Sequence, residues 1–267
     1  MQTVLTIAGF DPSSGAGVTA DLMVFAAHGL FGTSCITALT VQSTLGVRTT
    51  APVSAEIVHD TLDCPQSDLP LEGIKIGMLA TAANVAMVAE FLEMLRTVGR
   101  RVPVVLDPVM RSSSGRELLD AQGVALMRRR LLPVVDWVTP NLEELGVLTG
   151  HSVTRREEML DAARVLQTMG EGLNVLATGG HLDPPDDLLL LDGGEVVCLT
   201  GEKIVSESTH GTGCAFSSAL LSRIVLGDPV KESAMRAKMY VAEAIRTAVP
   251  MGHGVGPVNH LWPLQND

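Results

Sequence analysis

Aromatic side chains are scarce: five Phe, two Trp and one Tyr among 267 residues. That shortage leaves Val, Leu, Ile, Ala and Met to fill the interior, within a hydrophobic fraction of 46%. Paired cysteines are also absent. Cys35, Cys64, Cys198 and Cys214 form no C-x-x-C spacing, which excludes the common zinc patterns. A disulfide framework is not expected in a chain with so large a core. Positive charge is in deficit, with 19 Lys and Arg against 30 Asp and Glu and a net charge of -11. A nucleic-acid partner needs clustered cations, so that class is set aside. The one basic run, Arg128-Arg129-Arg130, is short and reads as a solvated helix end before Pro133. No apolar run reaches the ~18 residues that span a bilayer. The start, MQTVLTIAGFDP, lacks the basic and apolar sections of a leader and reads as a first strand. A soluble protein of a reducing cytoplasm, without a membrane partner, is expected.

Short β-branched apolar runs alternate with helical patterns. Strands are expected near 3–9, 35–42, 73–79, 102–109, 137–141 and 174–180. Several are apolar at consecutive positions, as suits strands covered on both faces. Between them, Val85, Val88, Ala89, Leu92 and Leu95 fall at helical spacing, with Gly99 as the stop. Thr154 and Glu157 have capping-box spacing ahead of a helix that ends at Gly170. LLLLDGGEVVCL breaks the pattern and reads as a hairpin turning at Asp192-Gly193-Gly194. The expectation is one α/β domain over residues 1–267, a mostly parallel sheet with helices on both faces. In such sheets ligands bind beyond the carboxyl ends of the strands. This collects AGFDPSSGAG, Gln42, IGML, LDPVM, TPN and TGGH on one rim.

Four stretches on that rim carry chemistry. GFDPSSGAGVTAD, residues 9–21, follows a strand and opens a helix. Gly15 to Ala20 fits G-x-G-x-x-A, but no acid occurs between Asp21 and Glu56 to hold a ribose, which disfavours a dinucleotide oxidoreductase. A close-packing turn and a ligand loop are equally compatible with these glycines; Asp21, an acid in an apolar helix start, favours the ligand. HGTGCAF places Gly211 and Gly213 before a helix whose free N–H groups can cradle an oxyanion or phosphate. Cys214 at that helix start would have its pKa lowered by the dipole, although a lone cysteine is more often a small buried thiol. His210 is adjacent in sequence, which does not make a Cys–His pair. Asp107 can hold Mg²⁺ beside phosphates or simply lead into Pro108. Asn141 and Glu144 can support the same metal or close a capping box. The seven histidines, at 28, 59, 151, 181, 210, 253 and 260, show no metal-binding spacing.

The order of these motifs is more specific than any one of them. TIAGFDPSSGAGVTADL, ITALTVQSTLGV, IKIGML, VLDPVM, VTPNLEEL, TGGH, THGTGCAFSSAL and GHGVGPVNH follow one another from Thr3 to about His260. The succession resembles the bacterial hydroxymethylpyrimidine/phosphomethylpyrimidine kinases of thiamin biosynthesis, of the ribokinase-like superfamily. That resemblance implies a ribokinase-like α/β fold, a homodimer, and ATP with Mg²⁺. It implies phosphoryl transfer from ATP to 4-amino-5-hydroxymethyl-2-methylpyrimidine, then to its monophosphate. It also implies roles. Gln42, Asp21, Gly9 and Met78 hold the pyrimidine. Gly211, Thr212 and Gly213 form an anion hole, and Cys214 accepts or positions the hydroxymethyl proton. Asp107 and Glu144 hold the metal, and Asn141, Thr178 and Gly180 the nucleotide.

The chain departs from the family pattern at Phe10, Thr19, Met23 and Thr178. The last stands where a lysine is frequent and bears on the second phosphorylation. Pyridoxal or pyridoxine kinases share the scaffold and are the nearest alternative; a non-catalytic pyrimidine or nucleotide sensor is a second. The polar stretch 182–187 is a candidate flap.

Overall fold

The computed structural model describes residues 1–180 and 182–265, without the side chains of 65–67. In chain order the elements are β1 (Thr3–Phe10), α1 (Gly17–Ala27), β2 (Phe31–Ser43), β3 (Gly46–Pro52), α2 (Ala55–Asp68), β4 (Leu71–Ile76), α3 (Ala82–Thr97), β5 (Val104–Leu106), α4 (Ala121–Leu126), β6 (Trp137–Val138), α5 (Leu142–Thr149), α6 (Arg156–Gln167), β7 (Asn174–Ala177), β8 (Asp187–Leu190), β9 (Val196–Leu199), α7 (Thr212–Val225) and α8 (Val230–Arg246). One nine-stranded sheet runs β3-β2-β1-β4-β5-β6-β7-β8-β9. The six strands from β2 to β7 in that order pair in parallel, and β3, β8 and β9 add antiparallel edges.

Period-two alternation explains the two cores. Val4 faces one side of the sheet with Val105, Leu176 and Leu189; Leu5 and Ile7 face the other with Ile74, Ile76 and Leu106. The first side is covered by Phe25 of α1, Phe216 and Leu220 of α7 and Tyr240 of α8. The second is covered by Val88 and Leu92 of α3, Leu145 of α5 and Leu166 of α6. Burying a Leu or Val side chain is worth about 1.5–3 kcal/mol, so the strands can be apolar on both faces without penalty.

The expected strands, the 82–97 helix with Gly99 beyond it (φ +76°) and the hairpin at Asp192–Gly194 are all present. Three details differ. β3 was not expected: GVRTTAP is half-exposed and carries Pro52, so it lacks the apolar signature of a covered strand. The box at α6 closes one residue later. Glu158, not Glu157, accepts from the backbone amides of Thr154 and Arg155 at 2.7 and 3.2 Å. The stretch 182–187 is tied down rather than free. Lys238 Nζ donates to Pro185 O at 2.8 Å, Arg156 pairs with Asp186 at 3.0 Å, and Gly201 N donates to Asp186 at 3.0 Å. Arg130 of the basic run pairs with Glu90 and Glu93 of α3, as a solvated helix end should.

Candidate active site

Parallel pairing sends the carboxyl ends of β1, β2, β4, β5, β6 and β7 to one rim. A cleft of about 1980 Å³ opens there, larger than the ~300–1,000 Å³ that one small ligand needs.

Two glycine loops interlock at its centre. Gly17 has φ +62°, and a Cβ there would lie 2.1 Å from Gly9 O; Gly211 has φ +84°, and its Cβ would lie 1.7 Å from Gly15 O. Only glycine allows both the left-handed backbone and that approach. The close-packing reading of the GxGxxA stretch is borne out, and the packed loops line the cleft. Asp11 staples the first loop, accepting from Ser13 N at 2.8 Å, Ser13 Oγ at 2.6 Å and Ala16 N at 3.0 Å. His260 Nε2 lies 3.0 Å from Gly15 O and holds the loop from the far end of the chain.

Gly211 is the N-cap of α7, so the first amides of that helix, from Thr212 through Cys214, are free of intrahelical partners and border the cleft. Opposite them stand two acids. A Cβ on Gly213 would lie 3.8 Å from Asp107 Oδ2, and Ser217 Oγ donates to the same oxygen at 3.4 Å. Glu144 closes the capping box of α5: Asn141 N donates to its Oε2 at 2.9 Å, and Glu144 N donates to Asn141 Oδ1 at 2.9 Å. The capping reading is borne out, and the boxed carboxylate is also buried at the cleft beside Asp107. Burial pushes the Glu144 carboxyl well above its ordinary value, and the Asp107 charge adds to this. Asp107 is also pushed up, by burial first and by Asp21 further, against the pull of Lys75. Two repelling carboxylates in a cleft suit a divalent cation that keeps several waters. Among the described residues no group of three such ligands gathers, so protein and water would share a metal's coordination.

Gln42, near the end of β2, lines the same cleft with its carboxamide near Thr40 and His210. Met78 packs on Gly9 so closely that a Cβ there would lie 2.9 Å from its sulfur. Thr178 is bridged to Asn141, and Gly180 is open, both at the cleft edge. His181 lies outside the described residues.

Two expectations are corrected. Asp21 does not reach the cleft. It is fully buried, paired with Lys75 Nζ at 2.9 Å and accepting from Ser218 Oγ at 2.7 Å and from Thr6 Oγ1. Its partner Lys75, equally without exposed surface, lies in the wall of the cleft. Cys214 lines the cleft as expected, but its thiol is shifted in the opposite direction to that expectation. Burial pushes it up to about 12; Lys75 and the Gly17 amide pull downward, Asp107 and Asp21 upward. The helix N-terminus is outweighed by desolvation and by two neighbouring acids.

Sequence reasoning missed Asp11, His210 and Lys75. Lys75 had a signal: a single cation inside the apolar strand LEGIKI requires a buried partner, and Asp21 is an equally isolated acid in α1. Asp11 and His210 are 199 positions apart, so nothing local links them.

A family model described as phosphomethylpyrimidine kinase matches residues 11–259. The bifunctional thiamine biosynthesis protein ThiED of Geobacter sulfurreducens is 43% identical over 99% of this chain, which spans only 53% of that longer protein. The hydroxymethylpyrimidine/phosphomethylpyrimidine kinase of Escherichia coli is 42% identical over 96% of each chain. The pyridoxal kinase of Staphylococcus aureus, solved with AMP-PCP and pyridoxal, superposes with a TM-score of 0.86 at 32% identity, covering 98% of this chain and 94% of that one. The family model over most of the chain and the 42% identity over nearly its full length show that the chain belongs to the phosphomethylpyrimidine kinase family.

Proposed function

We propose that this protein transfers the γ-phosphoryl group of ATP to the hydroxymethyl group of 4-amino-5-hydroxymethyl-2-methylpyrimidine, and then phosphorylates the monophosphate. The observation that carries this reading is one cleft lined by three parts: the free amides of α7, the Asp107–Glu144 pair, and the Gln42 carboxamide. Phosphoryl transfer asks the protein mainly for positioning and charge stabilisation. The amides from Gly211 to Gly213 meet the charge on the transferred group. Asp107 and Glu144 would hold Mg²⁺, which when bound neutralises phosphate charge. Asn141 keeps Glu144 aimed, and Thr178 and Gly180 leave room for the nucleotide.

Gln42 offers one donor and one acceptor side by side, the complement of an aminopyrimidine edge. Gly9 and Met78 supply the apolar wall. Cys214 positions the hydroxymethyl group. A loose transition state needs little deprotonation at the start, so a neutral thiol is compatible with accepting the proton late. Lys75 is held charged beside this step: burial opposes its charge, and Asp21, with Asp107, outweighs that.

A pyridoxal kinase activity is the second reading, favoured by the close superposition on the Staphylococcus aureus enzyme. Product analysis by mass spectrometry, with Mg-ATP and either the hydroxymethylpyrimidine or pyridoxine, tests both. Mono- and diphosphorylated pyrimidine support the main reading, product from pyridoxine alone the second, and no product the sensor. We extend the reading to a homodimer: Leu39 and Val41 of β2 are 50% and 54% exposed, apolar surface that a second copy would cover. Light scattering after size exclusion decides it. No helix among the described residues is long and apolar enough to cross a membrane.

A further inference from the structure

The β1–α1 loop, the end of β2 and the turn before α7 meet at one imidazole. His210 Nε2 lies 2.8 Å from Asp11 Oδ2 and 3.0 Å from the Gln42 carboxamide. One ring nitrogen carries at most one proton, so its direction is a choice. Asp11 makes that choice. Burial opposes its charge, but His210 and the Ser13 donors outweigh burial and hold its pKa below the ordinary value. Four donors converge on its two oxygens, from Ser13 (two), Ala16 and His210. A carboxylate can only accept, so the Nε2 proton points at Asp11, whatever the state of Nδ1.

The carboxamide follows. The structure places the Gln42 nitrogen toward His210 Nε2 at 3.0 Å and its oxygen toward Thr40 Oγ1 at 3.3 Å. An amide N–H facing an imidazole N–H makes no bond, so a proton on Nε2 requires the carboxamide turned over, its oxygen toward His210. The carboxamide nitrogen then faces Thr40 Oγ1, the neighbour 3.3 Å from the other end of the group. Thr40 is free to accept, because its own proton goes to Phe10 O at 2.9 Å. In this arrangement Asp11, His210 Nε2, the Gln42 oxygen and Thr40 Oγ1 each meet a complementary partner.

Orientation matters because the substrate edge is directional. An aminopyrimidine presents an amine donor beside a ring-nitrogen acceptor, and its hydroxymethyl group is next to the amine. Turning the carboxamide over would demand that the ring turn over too, carrying the hydroxymethyl group away from Cys214. We propose that Asp11 and His210 are positioning residues that set the Gln42 carboxamide and so select an aminopyrimidine, in one orientation, over a pyridine ring of the vitamin B6 type. The inference rests on the aminopyrimidine reading of Gln42.

Two measurements test it. In the free wild-type protein, nitrogen-15 spectra of the imidazoles should show His210 Nε2 protonated; an unprotonated Nε2 overturns the proposal. In kinetics, His210→Leu should raise KM for the aminopyrimidine about tenfold, the loss of one oriented hydrogen bond worth ~1.4 kcal/mol. The loss should fall on KM rather than kcat. The KM of pyridoxine, or its Ki if it is not turned over, should move less than about twofold by the same reckoning. His210→Gln, which restores an N–H where Nε2 was, should recover part of the loss. Equal losses for both rings, tracking a lowered Tm, would mean a merely structural role and sink the proposal. If the wild type turns over no aminopyrimidine, the functional reading falls and the selectivity claim with it. The nitrogen spectra would still report whether the Asp11–His210 proton relationship exists.

Discussion

Lys75 Nζ lies 2.9 Å from Asp21 Oδ2, and neither side chain has any exposed surface. The pair sits beneath the first turn of α7, joined to that helix through Ser218. Removing one partner strands the other. Lys75→Met should cost about 3–5 kcal/mol in urea unfolding, and Lys75→Met with Asp21→Leu should recover most of it. A single-variant loss below about 1 kcal/mol would show that the pair is not electrostatically required.

Cys214 should be unreactive in the free protein. With its thiol pushed up to about 12, iodoacetamide at neutral pH should modify exposed Cys64 and Cys198 first. Peptide mass spectrometry should place Cys214 at least about a hundredfold behind them. Cys214→Ser should lower kcat about tenfold or more if the thiol accepts or aims the hydroxymethyl proton. An undiminished kcat removes that assignment.

The acid pair implies a pH dependence. Asp107 and Glu144 have raised pKa values in the fold, so the folded protein holds protons that the unfolded chain has released. Their contribution is present below the ordinary carboxylate range and is lost as pH rises through the raised values. The metal-free Tm should therefore decline from mildly acidic to alkaline pH, and Asp107→Asn should flatten the decline. Millimolar Mg²⁺ should raise Tm more at pH 8 than at pH 5.5, and Glu144→Gln should erase the increment. A pH-independent Mg²⁺ effect would detach the metal from these two carboxylates.

Glycine loops should differ sharply in tolerance. Gly17→Ala places a Cβ 2.1 Å from Gly9 O at φ +62° and should cost at least about 2 kcal/mol. Gly193→Ala, with nothing within 4 Å, should be near neutral. Thermal melts of the two suffice, and comparable losses would contradict the interlock.

Thr178 marks the missing cation. On the proposed reading, Thr178→Lys would put an ammonium at the nucleotide edge of the cleft. The expected result is a several-fold rise in kcat/KM for the second phosphorylation with less change in the first, read from the ratio of diphosphate to monophosphate product. An unchanged ratio would show that the second step does not need the lysine.

Much of this was legible in one dimension because the physics is local. Alternating short apolar runs and helical stretches specify a doubly covered parallel sheet, and strand ends specify the rim. Glycine pairs next to a helix start specify a tight turn into α7, whose first amides are left free. The edge strand β3 was not legible, because a half-exposed strand has no apolar signature. The shifted box at Glu158 was not, because two adjacent acids offer equal spacing.

By itself, then, the sequence determined the class of fold, the rim, and the residue types that meet there: Gln42, Asp107, Glu144 and the 211–214 turn. Only the tertiary structure decided what their environments do to them. Asp21, read as a substrate contact, became the buried partner of Lys75. Cys214, read as activated, is held neutral. Asp11 and His210, 199 positions apart, became one proton relationship beside Gln42. The reason is physical: a side chain's chemistry is fixed by desolvation and by charges a few ångströms away, and those neighbours come from strands and helices far apart in the chain.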